Sequence, residues 1–283
     1  NGMAPGLILE KNGKTAILLP GPPNELYPLF EGQVFPYLER LQQSVLVSRM
    51  VKICGYGESQ VEDKLLDLID GQTNPTIAPY AKTGEVHLRV TASAENEKAC
   101  RKLIKPVVKE LKKRFGENVF ATDESKTLEE AVIDLLKEKD LKLSLAESLT
   151  GGMIAQRIVN VSGASEVFGY GFVTYSNKAK HKCLGVKKRT LKEQGAVSAK
   201  CAREMAKGAC KASGADISIS VTGLAGPGGG TKETPVGTVF MGCCYKGKAI
   251  AKEFHFTGNR MRIREQTTAH ALAMLRDCII MGK

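Results

Sequence analysis

Hydrophobic positions along the 283-residue chain switch between two periods. Alternating or short apolar runs mark strands, and apolar residues three or four apart mark helices. "LILE" and "TAILL" flank Asn12-Gly13, which predicts a hairpin closed by a type I′ turn. "PGPPNEL" ends that pattern, with Asn24 the expected cap of a helix reaching about Arg40. A hairpin and one helix bury too little apolar surface to stand alone, so residues 1–43 need a partner. The opening "NGMAPG" lacks an initiator methionine and enters mid-pattern, as a fragment would.

Residues 44–122 read as a second unit. "VLVSRMVKI" is a strand, "ESQVEDKLLDLI" a helix, "EVHLRVTA" an alternating strand and "NVFA" a short one. "QTNPTIAPYAKTG" is expected to be a loop. "KACRKLIKPVVKELKKR" predicts an amphipathic helix pair interrupted at Pro106, with Leu103, Val107 and Leu111 turned inward. The sum is a small α+β unit with helices on one face of a sheet.

Residues 123–283 alternate strand and helix most regularly. Thr127 and Glu130 form a capping-box pattern for a helix ending near Lys139. "LKLSLA" is a buried strand, residues 150–161 a helix, and "GYGFVTYS" a strand. Ser176 or Asn177 caps a helix to Cys183, and Ser198 opens another to about Ala212. "DISISVTG" is a strand, "VGTVFMGCCY" and "AIAKEFHF" a hairpin, and "NRMRIREQTTAHALAMLRDCII" a closing helix. This order predicts an α/β fold, an α/β/α sandwich with its ligand site at the strand ends.

Composition narrows the class further. Hydrophobic residues make up 42% and charged residues 25%, a globular balance. No apolar run nears the ~20 residues of a membrane helix, so a cytoplasmic chain with no membrane partner is expected. The eight cysteines contain no C-x-x-C pair and the four histidines are scattered, which points to reduced, buried thiols and no metal site. A net charge of +11 favours phosphate-bearing partners, either a small nucleotide or nucleic acid.

Three strand-end loops hold candidate chemistry. In "ESLTGG", Ser148 reads either as a helix cap or as a nucleophile at a sharp turn, and the residues alone leave both open. The amides of Thr150, Gly151 and Gly152 at the following helix start would stabilise an oxyanion. "TYSNKAK" offers Tyr175 and Lys180, and a desolvated lysine can serve a serine as general base. "TGLAGPGGG" is either a phosphate cradle or a plain connection, and it does not follow the G-x-x-x-x-G-K-[ST] pattern. Arg260, Arg262 and Arg264 crowd the start of the last helix, where the macrodipole disfavours cations. An anionic ligand or a solvated basic edge would explain them.

The segments "AESLTGG", "GASEVF", "FVTYSNKAK", "LGV", "GAVS", "TGLAGPGGG" and "PVGTV" resemble, in that order, the C-terminal domain of the CinA family. That resemblance covers essentially all of residues 123–283. "APG…LLPGPPNEL" resembles the tail of the family's molybdopterin-binding-like N-terminal domain, within residues 1–43. "ESQVEDKL…NPTIAPYAKTGEVHLRVTA" resembles its KH-like middle domain, within residues 44–122. The resemblance implies an amidase that converts nicotinamide mononucleotide to nicotinate mononucleotide and ammonia, without cofactor or metal. By it Ser148 is the nucleophile, Lys180 the base and Tyr175 the neighbour that orients them. Thr222, Gly223, Gly226 and Arg260 would hold the mononucleotide, with Arg264, one turn further on, sharing the role. Leu149 stands where many relatives carry cysteine. No G-x-x-G loop occurs between residues 44 and 122, which counts against nucleic acid as a partner. A homodimer or higher homo-oligomer is the expected assembly. The competing class is a non-catalytic adaptor for competence and DNA uptake.

Overall fold

The computed structural model describes residues 4–41 and 44–282 and arranges them around three sheets. The opening residues 1–3 and the first boundary at residue 43 lie outside the described residues. Strands β1 (Leu7–Lys11) and β2 (Lys14–Leu18) pair antiparallel, with Asn12 and Gly13 both at positive φ in the turn. Helix α1 (Pro23–Leu29) passes through a π-turn segment, Phe30–Val34, into α2 (Phe35–Leu41). Asn24 is not the cap. Pro22 holds the extended position before the helix, and the fixed φ of Pro23 starts it, so Asn24 falls inside. Of the described residues up to 41, only Val34 is buried.

The second sheet runs in the order β4-β5-β3-β6, from β3 (Val45–Cys54), β4 (Thr76–Lys82), β5 (Glu85–Ala94) and β6 (Val119–Ala121). Two short helices, α3 (Glu58–Asp63) and α4 (Leu66–Asp70), replace the single one expected, with the break at Lys64-Leu65. The "TIAPYAK" stretch expected as loop is strand β4. As an edge strand it accommodates Pro79, whose missing N–H would break a central ladder.

Helix α5 (Glu97–Phe115) is continuous through Pro106 rather than a pair. Its buried residues are Cys100, Ile104, Leu111 and Phe115, while Leu103 is exposed. One apolar stripe packed on β3 and β5 carries the helix past the bond that proline removes. Val86, Leu88, Val90 and Ala92 of β5 enter this core. Glu85 and His87 alternate to the opposite face, where His87 bonds Glu85 and Glu85 meets Arg157 of the third unit.

The third unit comprises α6 (Leu128–Glu138), β7 (Leu143–Glu147), α7 (Met153–Val159), β8 (Phe168–Val173), α8 (Asn177–Leu184), α9 (Lys188–Glu193), α10 (Ala199–Ser213), β9 (Ile217–Gly223), β10 (Thr238–Tyr245), β11 (Lys248–His255) and α11 (Arg260–Met281). Only α9 was without a counterpart in the pattern. Thr127 and Glu130 close the capping box, Ser176 and Ser198 each accept the expected helix-start amide, and Asn259, expected inside the last helix, caps it instead. The five strands run β11-β10-β9-β7-β8, with β7 parallel to both neighbours and β10 antiparallel to β9 and β11. α6, α7 and α11 share one core with the sheet, and α8 and α10 cover the other face. This is an α/β/α sandwich.

Three parallel neighbours, β9-β7-β8, put their C-terminal ends side by side. The loops that follow them therefore converge at one edge, where doubly covered α/β sheets hold their ligands.

Candidate active site

β7 is buried at every position, and Ser148 follows it directly. The helix expected from residue 150 begins only at Met153, because Gly151 and Gly152 take φ of +61° and +101°. That left-handed pair turns the chain sharply, which a side chain would resist. Ser148 is thus held in a turn, not at the N-cap, which Gly152 occupies.

Lys180 reaches the same point from α8. Ser176 caps that helix, and Lys180 shares its inward face with Leu184, one turn on. Its Nζ lies 2.9 Å from Ser148 Oγ and 2.7 Å from the Thr174 carbonyl oxygen. Thr174 is fixed in turn by its amide on the Glu147 carbonyl. Lys180 is only 1% exposed and Ser148 7%. Burial pushes the Lys180 amine below its usual range and raises the neighbouring Cys201 thiol to about 11.

Tyr175 does not touch this pair. Its ring is exposed, and its hydroxyl accepts from Arg260 at 3.0 Å. The Thr174 carbonyl orients Lys180 in its place. Arg260 also donates to the Gly226 carbonyl at 2.7 Å, tying the glycine-rich loop to the β8 loop. Gly223 ends β9 where an added Cβ would lie 2.7 Å from the Thr238 carbonyl. Thr222 is buried, and its hydroxyl donates to the Ala196 carbonyl.

The proposed oxyanion donors also change. The Gly151 amide donates to the Ser148 carbonyl and the Gly152 amide to Glu147 Oε2, so both are occupied. Thr150 keeps a free amide, as does Leu149; neither has an acceptor among the described residues. Arg264, expected near the phosphate, donates instead to the Leu149 and Thr150 carbonyls at 2.9 and 2.8 Å. Two of the three cations crowded at the α11 start are thereby explained, since Arg260 and Arg264 each hold one loop, while Arg262 is exposed.

Glu147 was missed in the sequence. It is 1% exposed, and its carboxylate accepts the amides of Gly152, Ile154 and Ala155. An acid close before a helix start was the available signal.

A groove of about 530 Å³ lies elsewhere, on the outer side of α8, and is lined by Lys178, His181, Lys182, Lys188 and Lys192. Lys180 points away from it into the sheet. Among the described residues no helix is long and apolar enough to cross a membrane.

Fold and loops together define a three-layer α/β protein carrying a buried serine–lysine pair at the ends of its parallel strands. Residues 125–279 match the family model described as CinA C-terminal domain, and residues 48–121 the one described as damage-inducible protein CinA KH domain. A relative from Caldicellulosiruptor bescii with the competence-damage inducible name is 52% identical over 280 residues, 99% of this chain and 68% of the relative. A CinA-like protein from Dictyoglomus turgidum is 49% identical, over 97% of this chain and 67% of its own. Among solved structures, a competence/damage inducible protein from Agrobacterium tumefaciens aligns with TM-score 0.51 and 42% identity, covering 52% of this chain and 91% of its own. The competence damage-inducible protein A of Klebsiella pneumoniae aligns with TM-score 0.54 and 34% identity, covering 55% and 97%. The chain belongs to the CinA family.

Proposed function

We propose that the C-terminal unit is an amidohydrolase that cleaves the carboxamide of nicotinamide mononucleotide. The observation that carries this reading is the 2.9 Å contact between Ser148 Oγ and the buried Lys180 Nζ. A neutral amine keeps one N–H on the Thr174 carbonyl and turns its lone pair to the serine hydroxyl. Ser148 Oγ attacks the amide carbon while Lys180 takes the serine proton. The oxygen of the tetrahedral intermediate accepts from the unoccupied amides of Leu149 and Thr150. Collapse breaks the C–N bond, and Lys180 returns the proton to the departing ammonia. Water, deprotonated by Lys180, then attacks the acyl ester, and the C–Oγ bond breaks as Lys180 returns that proton to Ser148 Oγ and nicotinate mononucleotide leaves.

Arg260 brings a positive charge beside the glycine-rich loop, which suits the mononucleotide phosphate. The substrate itself rests on the family resemblance. Incubation with nicotinamide mononucleotide should release ammonia, and Ser148→Ala should abolish release while substrate still binds. An Ala variant within tenfold of the parent rate would end the serine assignment. The rival reading, a non-catalytic nucleic-acid adaptor, draws on the lysine groove beside α8. It requires nucleic-acid binding that falls steeply with salt and no ammonia release.

A further inference from the structure

The atoms around the 148–152 turn divide its backbone groups between two side chains from different parts of the chain, the buried Glu147 and the half-buried Arg264. Arg264 reaches across from α11 and grips two consecutive carbonyls, Leu149 through Nε and Thr150 through one Nη. Glu147, immediately before the turn, takes three amides beyond it, those of Gly152, Ile154 and Ala155. Among the described residues, the amides of Leu149 and Thr150, which lie between these grips, have no acceptor, and neither does that of Ser148 before them.

Peptide geometry turns this division into a direction. The Leu149 carbonyl and the Thr150 N–H belong to one planar trans peptide, so they point to opposite edges of it. A guanidinium on the carbonyl therefore aims the N–H away from α11. It also polarises the same amide, which strengthens the hydrogen bond that N–H can donate. The next peptide is held the same way: Arg264 takes the Thr150 carbonyl, and the Gly151 N–H closes on the Ser148 carbonyl.

We infer that Arg264 and Glu147 are positioning residues for the oxyanion hole: Arg264 aims the Thr150 amide, and Glu147 anchors the start of α7 so that the turn cannot rotate. This rests on the serine-nucleophile reading and removes Arg264 from phosphate recognition. A planar fork that spans two carbonyls is a task lysine performs poorly, with one point charge on a flexible stem.

The test compares Arg264→Ala, Arg264→Lys and Glu147→Gln with Ser148→Ala, using nicotinamide mononucleotide and its riboside, which lacks the phosphate. Loss of one aligned oxyanion donor lowers kcat about 10²- to 10³-fold. Arg264→Ala should show that fall in kcat for both substrates, with KM nearly unchanged and the pH midpoint of the rate unmoved. Added guanidinium should restore part of the Ala variant's kcat, whereas methylammonium should not. Arg264→Lys should fall in between, and it serves if the Ala variant does not fold. Glu147→Gln keeps the shape and weakens the anchor, so kcat should fall again without a phosphate-specific change in KM. A KM rise confined to the mononucleotide, or full kcat in Arg264→Ala and Arg264→Lys, overturns the inference while an inert Ser148→Ala leaves the nucleophile standing. An active Ser148→Ala removes both.

Discussion

Replacing Lys180 by methionine separates chemistry from stability more cleanly than any other change at the site. Lys180 is fully enclosed, and its Nζ has two partners, Ser148 Oγ at 2.9 Å and the Thr174 carbonyl at 2.7 Å. Methionine keeps the unbranched stem and nearly the same volume, so the face shared with Leu184 stays filled. The Thr174 carbonyl loses a donor, a loss of about 1–3 kcal/mol for a buried group. Against this, the variant no longer buries an amine whose charged form is strongly disfavoured there. The two effects oppose each other, and the net change in stability should stay within about 2 kcal/mol.

Catalysis has no such compensation. A positioned base contributes about 10²- to 10⁴-fold, and serine and base act as one unit. Ammonia release should therefore fall at least a hundredfold, with a thermal midpoint close to that of the parent. The pH profile gives the second readout. The neutral amine is the active form, so the parent's kcat/KM rises with pH through a midpoint below the ordinary lysine value of 10.5. The sign for stability is the same: the unfolded chain binds the proton more tightly, so this group's contribution is complete above the unfolded value and shrinks as pH falls through the folded one. Lys180→Met should lose the rising limb altogether. Activity within tenfold of the parent, or a rising limb that survives the substitution, would refute the base assignment.

Two further outcomes follow from other contacts. Arg260→Ala should raise KM for nicotinamide mononucleotide about ten- to a hundredfold more than for the riboside, since a charge-assisted phosphate bond is worth about 1.5–3 kcal/mol; equal changes for both substrates would place Arg260 in loop support alone. Arg157 on α7 bonds Glu85 of β5 and Glu129 of α6, joining the second and third units. Arg157→Ala should destabilise the chain by about 1–3 kcal/mol in urea titration at neutral pH. Burial raises the Glu85 carboxyl, but the bonds to His87 and Arg157 outweigh it, so its pKa ends below the ordinary glutamate value of 4.5. The Arg157 contribution is therefore present above that value and fades as pH falls through the lower, folded one. A variant equal to the parent at neutral pH would show the contact to be incidental.

Much of this molecule is local in origin and was open to reading from the chain. Thr127, Ser176 and Ser198 each mark a helix start because a cap needs only its own side chain and an amide two or three residues on. Asn12-Gly13 marks a hairpin for the same reason. The alternating pattern of the third unit gives the α/β/α sandwich and a ligand site at its strand ends, whereas the strand order came only with the fold. Ser148 and Lys180 stood out within those loops once the family resemblance was in view.

Other features required the fold. Pro106 inside α5 and Pro79 inside β4 both break local rules, and burial of one face or an edge position decides that the rules give way. Nothing local says that Lys180 faces inward, and its lowered basicity arises only from enclosure by elements distant in sequence. Arg264 and the Leu149 carbonyl lie 115 positions apart, and which backbone groups stay free depends on that contact. Local sequence determined where the chain turns and which residues stand at the turns. The tertiary structure decided which of them meet and which donors remain unoccupied, because hydrogen bonds and burial between distant elements exist only once the layers have packed.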